Sequence, residues 1–290
     1  MKPSAFSYHR PVTLDAALAL LAEHGDAAKA IAGGQSLAPM MNLRLAQPAE
    51  LIDLGDLLGL DQLRESDGAI EIGALVRHQQ LAESELLRER CPLLAEAAQG
   101  IGHYAIRQRG TLGGSLAHAD PAAQLPLVAV TLGAQIELAS RRGRRVLSAA
   151  EFFVSVMTTE LAADELIVAV RFPALLPGEG AAFRLFNRRH GDFAIVSVAA
   201  SVQVNGGRVA RLRLGVGGVE PVPVHLDELA ARQAGRTPDA AWVAEMAAGA
   251  SAAVEAENDE RITALYRREL TESLVARALA AALKLSGAKP

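Results

Sequence analysis

The chain has 290 residues, 50% of them hydrophobic, and a formal net charge of −4. That is apolar material for one large domain or two ordinary ones, and without a global positive field neither nucleic acid nor an anionic membrane is an expected partner. Its single cysteine, Cys91, excludes an internal disulfide, a CxxC zinc pair and an iron–sulfur cluster, so any metal redox centre must lie on another chain.

From the N-terminus, MKPSAFSYHRPVTLDAALALLAEHG puts Pro11, Asp15 and Glu23 where a signal peptide needs an unbroken apolar run. No later segment offers about 18 apolar residues without a charge, so a cytoplasmic protein without a membrane span is expected. TLDAALALLAEHG repeats apolar residues at helical spacing, AKAIAGG reads as a strand running into glycines, and ELIDL and AIEIGALV follow as strands. RHQQLAESELLRE and CPLLAEAAQGIG are helical in pattern, with Pro92 opening the second helix and Gly100 or Gly102 closing it. AQIELAS and VLSAAEF flank RRGRR as a hairpin with a solvated turn. ALLPGEG is a Pro/Gly-rich connector and marks the expected domain boundary, 1–176 against 177–290.

Beyond it, AAFRLFNRR, FAIVSVAASVQV and RVARLRLGVGGV read as three strands, the last two joined by Asn205-Gly206-Gly207, a strong hairpin signal. Two or three helices follow; in the last, Leu265, Leu270, Leu274 and Leu279 are expected on one face. The C-terminal part is therefore expected to be a small antiparallel sheet covered by helices.

Two glycine pairs carry the chemistry. Gly33-Gly34 and Gly113-Gly114 each follow an apolar segment and precede a serine, Ser36 or Ser115. Glycine permits the positive φ and the close backbone approach that a phosphate cradle needs, and a hydroxyl adds a donor. One such pair reads as a tight turn; two with matched serines leave the turn and the anion cradle both open. Neither fits GxGxxG after a strand or GxxxxGK[ST], and GVGGVE at 215–220 has Glu220 in place of the third glycine. Ser115, His118 and Asp120 lack the GxSxG elbow, and no HExxH or other metal spacing occurs among the histidines, of which His24, His190 and His225 read as surface or loop residues.

AIAGGQSLAPMMNLRLAQPAELIDL (30–54) and IGHYAIRQRGTLGGSLAHADPAAQLPLVAVTLGAQIEL (101–138) resemble the FAD-binding medium subunit of molybdenum hydroxylases, the xanthine dehydrogenase and carbon monoxide dehydrogenase group. RRHGDFAIVSVAA (188–200) and LYRRELTESLVARAL (265–279) extend the resemblance to nearly the whole chain. It implies an α+β fold: a PCMH-type flavin-binding domain of two α+β subdomains dividing near residues 55–60, then an α+β C-terminal domain. It implies FAD held between the two loops by Ile31, Ala32, Gly33, Gly34, Gln35, Ser36 and Leu37 of the first and by Thr111, Gly113, Gly114 and Ser115 of the second. Backbone N–H groups and the Ser36, Thr111 and Ser115 hydroxyls would make these contacts, with Ile101, Asp120 and Ile167 lining the cofactor further along.

Gln124 stands where the family usually has an acidic residue, and its amide can still accept a hydrogen bond. Arg184, followed by Leu185, lies where some members carry a lysine near the flavin. Arg107, Arg109, His103 and His118 leave structural and cofactor-contact readings open; His78 reads as structural, and Phe193 as either a core aromatic or a flavin neighbour.

By the same resemblance, electrons reach FAD from [2Fe–2S] clusters on a small subunit, having left substrate at a molybdenum cofactor on a large subunit, and pass to an external acceptor. A dimer of heterotrimers acting on a nitrogen heterocycle is the implied whole. The cysteine count excludes the variant whose medium subunit carries a [4Fe–4S] cluster. A free-standing FAD-dependent reductase or oxidase, and a scaffold that has lost the cofactor, are the alternatives.

Overall fold

The computed structural model describes residues 2–287. Strands β1 (Ser7–His9), β2 (Ala28–Ile31) and β3 (Glu50–Asp53) form a parallel sheet in the order β1-β3-β2. Parallel neighbours need crossovers, and the helices Leu14–His24 and Leu37–Asn42 lie in the two connections. Thr13 caps the first helix, accepting from Ala16 N at 3.2 Å. Its apolar face, Ala17, Leu18 and Leu21, is buried on Ile52.

β4 (Leu63–Ser66), β5 (Ala69–Gly73), β6 (Gln135–Ser140) and β7 (Gly143–Ser148) belong to a second sheet, and β8 (Phe153–Ser155) with β9 (Thr158–Thr159) makes a separate two-stranded hairpin. β10 (Leu166–Pro173) completes the second sheet in the order β4-β5-β10-β6-β7, antiparallel throughout. Helices from His78 to Leu132 cover it. Pro92 opens one of them as its first residue, and Gly100 follows its last. The arginine turn between β6 and β7 is solvated and three of its four arginines are paired: Arg144 with Glu137 at 2.6 Å, Arg145 with Glu165 at 2.7 Å, and Arg142 with Asp164.

β11 (Glu179–Phe186), β12 (Val196–Asn205), β13 (Arg208–Gly217) and β14 (Val224–His225) form the antiparallel C-terminal sheet in sequence order. Gly206 and Gly207 turn β12 into β13 with φ of 57° and 74°, the double positive φ that a tight hairpin demands. Three helices cover this sheet, and Trp242, Met246, Leu274 and Leu279 fill the core beneath them.

Leu265 does not join that core. It is 65% exposed, because at about 100° per residue it lies roughly 180° around the helix from Leu274. The buried stripe of the helix Ala264–Leu285 is instead Thr271, Leu274, Val275, Ala278, Leu279 and Leu283, with Ala282 beside it.

The helix Gln124–Leu132 is buried on every residue. The C-terminal sheet explains this: Gly215 of β13 is packed so closely on Thr131 and Leu127 that a Cβ there would collide with the Thr131 hydroxyl, and a Cβ at Gly217 would crowd Leu127 at 3.2 Å. A helix enclosed on all sides carries no polar stripe, and Thr131 Oγ1 satisfies itself on Leu127 O at 2.8 Å.

Candidate functional site

β2 ends at Ile31, and residues 32–36 turn the chain into the helix Leu37–Asn42; the second glycine pair lies inside the first turn of the helix Leu112–His118. The two loops touch. A Cβ on Gly33 would overlap the Arg109 carbonyl and come within 2.9 Å of Gly110 Cα, so the close approach of the loops requires glycine at position 33. Gly34 takes a φ of 70°, the left-handed region that glycine enters without strain.

The loops differ in where their backbone hydrogen bonds go. In the second, Leu112 N donates to Val76 O at 3.0 Å, Gly113 N to Ala74 O at 2.9 Å, Gly114 N to Thr111 Oγ1 at 3.1 Å and Ser115 N to Thr111 O at 3.0 Å. These groups have internal partners. In the first, the N–H groups of residues 33–36 donate to no other described residue, while Gln35 Nε2 folds back on Gly33 O at 2.9 Å. Consecutive open N–H groups make an anion cradle. The hydroxyls of Ser36 and Ser115 likewise have no partner among the described residues.

A cleft of about 720 Å³ runs along both loops, within the range that ligand sites span. The first loop from Ile31 to Leu37, together with Thr111, Gly113, Gly114 and Ser115, lines it. Ile101, Asp120, Gln124 and Ile167 line it further along. Arg184 does not. It projects from β11 onto Glu96 Oε1 at 2.7 Å and the Phe183 carbonyl at 2.6 Å, so its charge is committed behind the wall.

Gln124 Nε2 donates to the Gly100 carbonyl at 3.1 Å, which leaves Oε1 without a donor among the described residues and able to accept from a ligand. Asp120 Oδ1 accepts from Ala122 N at 2.8 Å, leaving its second oxygen for the cleft.

His78 also lines the cleft, with Nε2 at 2.9 Å from Thr111 O and Nδ1 without a partner. Burial pulls its pKa down to about 4, so at neutral pH the ring is uncharged, with its proton on the nitrogen facing the carbonyl. It therefore holds the second loop in place. Arg107 is structural too, donating to Gln79, Ile101 O and Gly102 O. Arg77 reaches the carbonyl of Arg109.

His103 lies beside His190 with ring centroids 5.7 Å apart, and His118 faces the cleft. Phe193 lines the cleft with Gly191 and Asp192 and is 57% exposed, which removes it from the core.

Residues 157–159 and 161–163 close another side of the cleft, with Met157 N on the Ala119 carbonyl at 3.1 Å. Lys29 and Asp26 join from β2 and the turn before it. Sequence reasoning passed over all of these, since no motif or periodicity distinguishes them. Chemically, the cleft offers anion donors at one loop, apolar walls for a planar ring, and isolated acceptors. No hydrogen bond joins Ser115, His118 and Asp120, so no hydrolytic triad is assembled.

Residues 4–175 match the family described as FAD binding domain in molybdopterin dehydrogenase, and residues 181–282 match the CO dehydrogenase flavoprotein C-terminal domain. The chain is 40% identical, over 98% of its length and 96% of the relative's, to the 6-hydroxypseudooxynicotine dehydrogenase complex subunit alpha of Paenarthrobacter nicotinovorans. It is 36% identical to the caffeine dehydrogenase subunit beta of Pseudomonas sp. (strain CBB1), covering 97% of this chain and 96% of that one. Among solved structures, carbon monoxide dehydrogenase from Hydrogenophaga pseudoflava superimposes with a TM-score of 0.95 at 36% identity, covering 98% of this chain and 99% of that chain.

Proposed function

The chain belongs to the FAD-binding medium subunits of molybdenum hydroxylases, and from that premise we propose that it is the electron outlet of a three-subunit complex. The observation that carries this reading is the row of open N–H groups at residues 33–36, facing a cleft large enough for a dinucleotide. Those groups and the Ser36 and Ser115 hydroxyls hold the pyrophosphate; Ile101 and Ile167 bound the apolar part, and Gln124 Oε1 and Asp120 accept from the cofactor's hydroxyl or N–H groups. The flavin domain runs to residue 176, divided near 55–60, and the described residues from 177 on brace it through the helix Gln124–Leu132.

When bound, FAD supplies exchange of electrons singly or in pairs, and the protein contributes position and potential. No acid–base pair in the cleft is required for that task. With one cysteine, the chain leaves the [2Fe–2S] clusters to a small subunit and the molybdenum cofactor to a large one. A nitrogen heterocycle as substrate is supported by the relatives named for a nicotine derivative and for caffeine. No described helix is long and apolar enough to cross a membrane. The complex is read as a dimer of heterotrimers in the cytoplasm that passes electrons to an external acceptor.

The test is anaerobic mixing of the flavin-loaded chain with a heterocyclic substrate, with and without the partner subunits. Bleaching of the flavin absorbance only in the complete complex supports the outlet. Bleaching of the isolated chain by substrate would favour the free-standing flavoprotein.

A further inference from the structure

We propose that His9, His24 and Glu50 form a binding site for a divalent cation of the zinc class, separate from the flavin cleft. None of the three lines that cleft. They come from three elements: His9 ends β1, Glu50 begins β3, and His24 is the last residue of the helix Leu14–His24. The parallel register pairs Ser7 with Glu50 and His9 with Ile52, so alternate residues of both strands share one face. Ile52 on that face packs against the helix that ends in His24.

The side chains meet there. One donor atom from each lies within 4.8 Å of the others, His9 Nε2 is 2.7 Å from Glu50 Oε2, and the imidazole rings are 5.5 Å apart at 30°. The His24 ring makes no hydrogen bond to a described residue. Zinc with two nitrogens and one oxygen at about 2.0–2.2 Å needs donors roughly 3.3 Å apart, so the His9–Glu50 pair opens from 2.7 Å while the longer separations, up to 4.8 Å, close by small side-chain rotations. His9 and Glu50 keep side-chain exposures of 30% and 20%, which leaves a coordination position for water. Binding would tie the helix to both strands.

The alternative is a part-exposed hydrogen-bonded pair that contributes little. Calorimetric titration of ZnCl₂ into chelator-stripped full-length protein separates the two. The Cys91 thiol, buried and pushed up to about 12, does not compete. One equivalent should bind with a dissociation constant on the order of micromolar or tighter, and melting temperature should rise with added zinc. His24→Ala and Glu50→Gln should each weaken binding at least about tenfold, with FAD content per chain unchanged. No saturable binding, or binding that survives both substitutions because other histidines such as His103 and His190 hold the ion, overturns the proposal.

Discussion

One methyl group at Gly33 would push against the Arg109 carbonyl and force the two cofactor loops apart. Gly33→Ala is accordingly expected to weaken FAD binding at least about tenfold, read from quenching of FAD fluorescence on titration. Gly114 tests the second loop separately. Its Cβ would lie 2.8 Å from Thr111 Oγ1, so Gly114→Val displaces a hydroxyl cap worth about 1 kcal/mol; the variant should fold and lose FAD, and stoichiometric FAD in it would contradict the assignment of that loop.

His78 gives a pH dependence. Unfolded, the imidazole titrates at about 6.5; folded, at about 4. Between these values the unfolded chain binds a proton that the folded chain refuses. Stability is therefore full above about pH 6.5 and declines toward pH 4, by about 3 kcal/mol at the lower end. His78→Gln keeps a donor for Thr111 O and should flatten the urea midpoint over that range; an unchanged slope would remove His78 as the cause.

At this scale the two glycine loops were easier to pick out in the sequence than the contacts that require them. A glycine pair beside a serine has few uses, so both loops stood out, yet the neighbour that demands Gly33 lies on a distant segment. Arg184 shows the limit: its partner Glu96 belongs to a helix far earlier in the chain, and no local pattern reveals that pairing.

Among the elements, the β6–β7 hairpin offers a controlled comparison of ion pairs. Glu165 has only 5% of its side chain exposed and accepts from Arg145 and Ala162 N, whereas Arg142–Asp164 and Arg144–Glu137 join mostly exposed arginines to their partners. Arg145→Ala strands a carboxylate beside the cleft and should cost about 2 kcal/mol; Arg144→Ala should cost under about 1 kcal/mol. Denaturant midpoints of the two variants check this ordering.

Element types were legible wherever period and punctuation agreed, as in the Asn205-Gly206-Gly207 turn and the Pro92 helix start. Leu265 leaves the buried face because nine residues from Leu274 at about 100° each sum to a net half turn. Residues 157–163 stayed hidden because a loop that lines a site through tertiary placement needs no periodicity.

At the scale of the molecule, the parallel sheet, the antiparallel sheet and the loop between β11 and β12 border one cleft, and the enclosed helix Gln124–Leu132 joins the antiparallel sheet to the C-terminal one. Its sequence is mostly apolar, but composition alone names no partner on either side, since periodicity reports burial without saying against what. The same holds for the complex: a lone cysteine says that clusters lie elsewhere, while their position belongs to other chains.

The most direct test of the account is the flavin content of this chain purified without partners, by absorption spectrum, acid release and identification of the released flavin. Close to one FAD per chain, with no substrate turnover until the partner subunits are added, is the predicted result. A colourless chain that added FAD fails to reconstitute would contradict it and leave a cofactor-free scaffold.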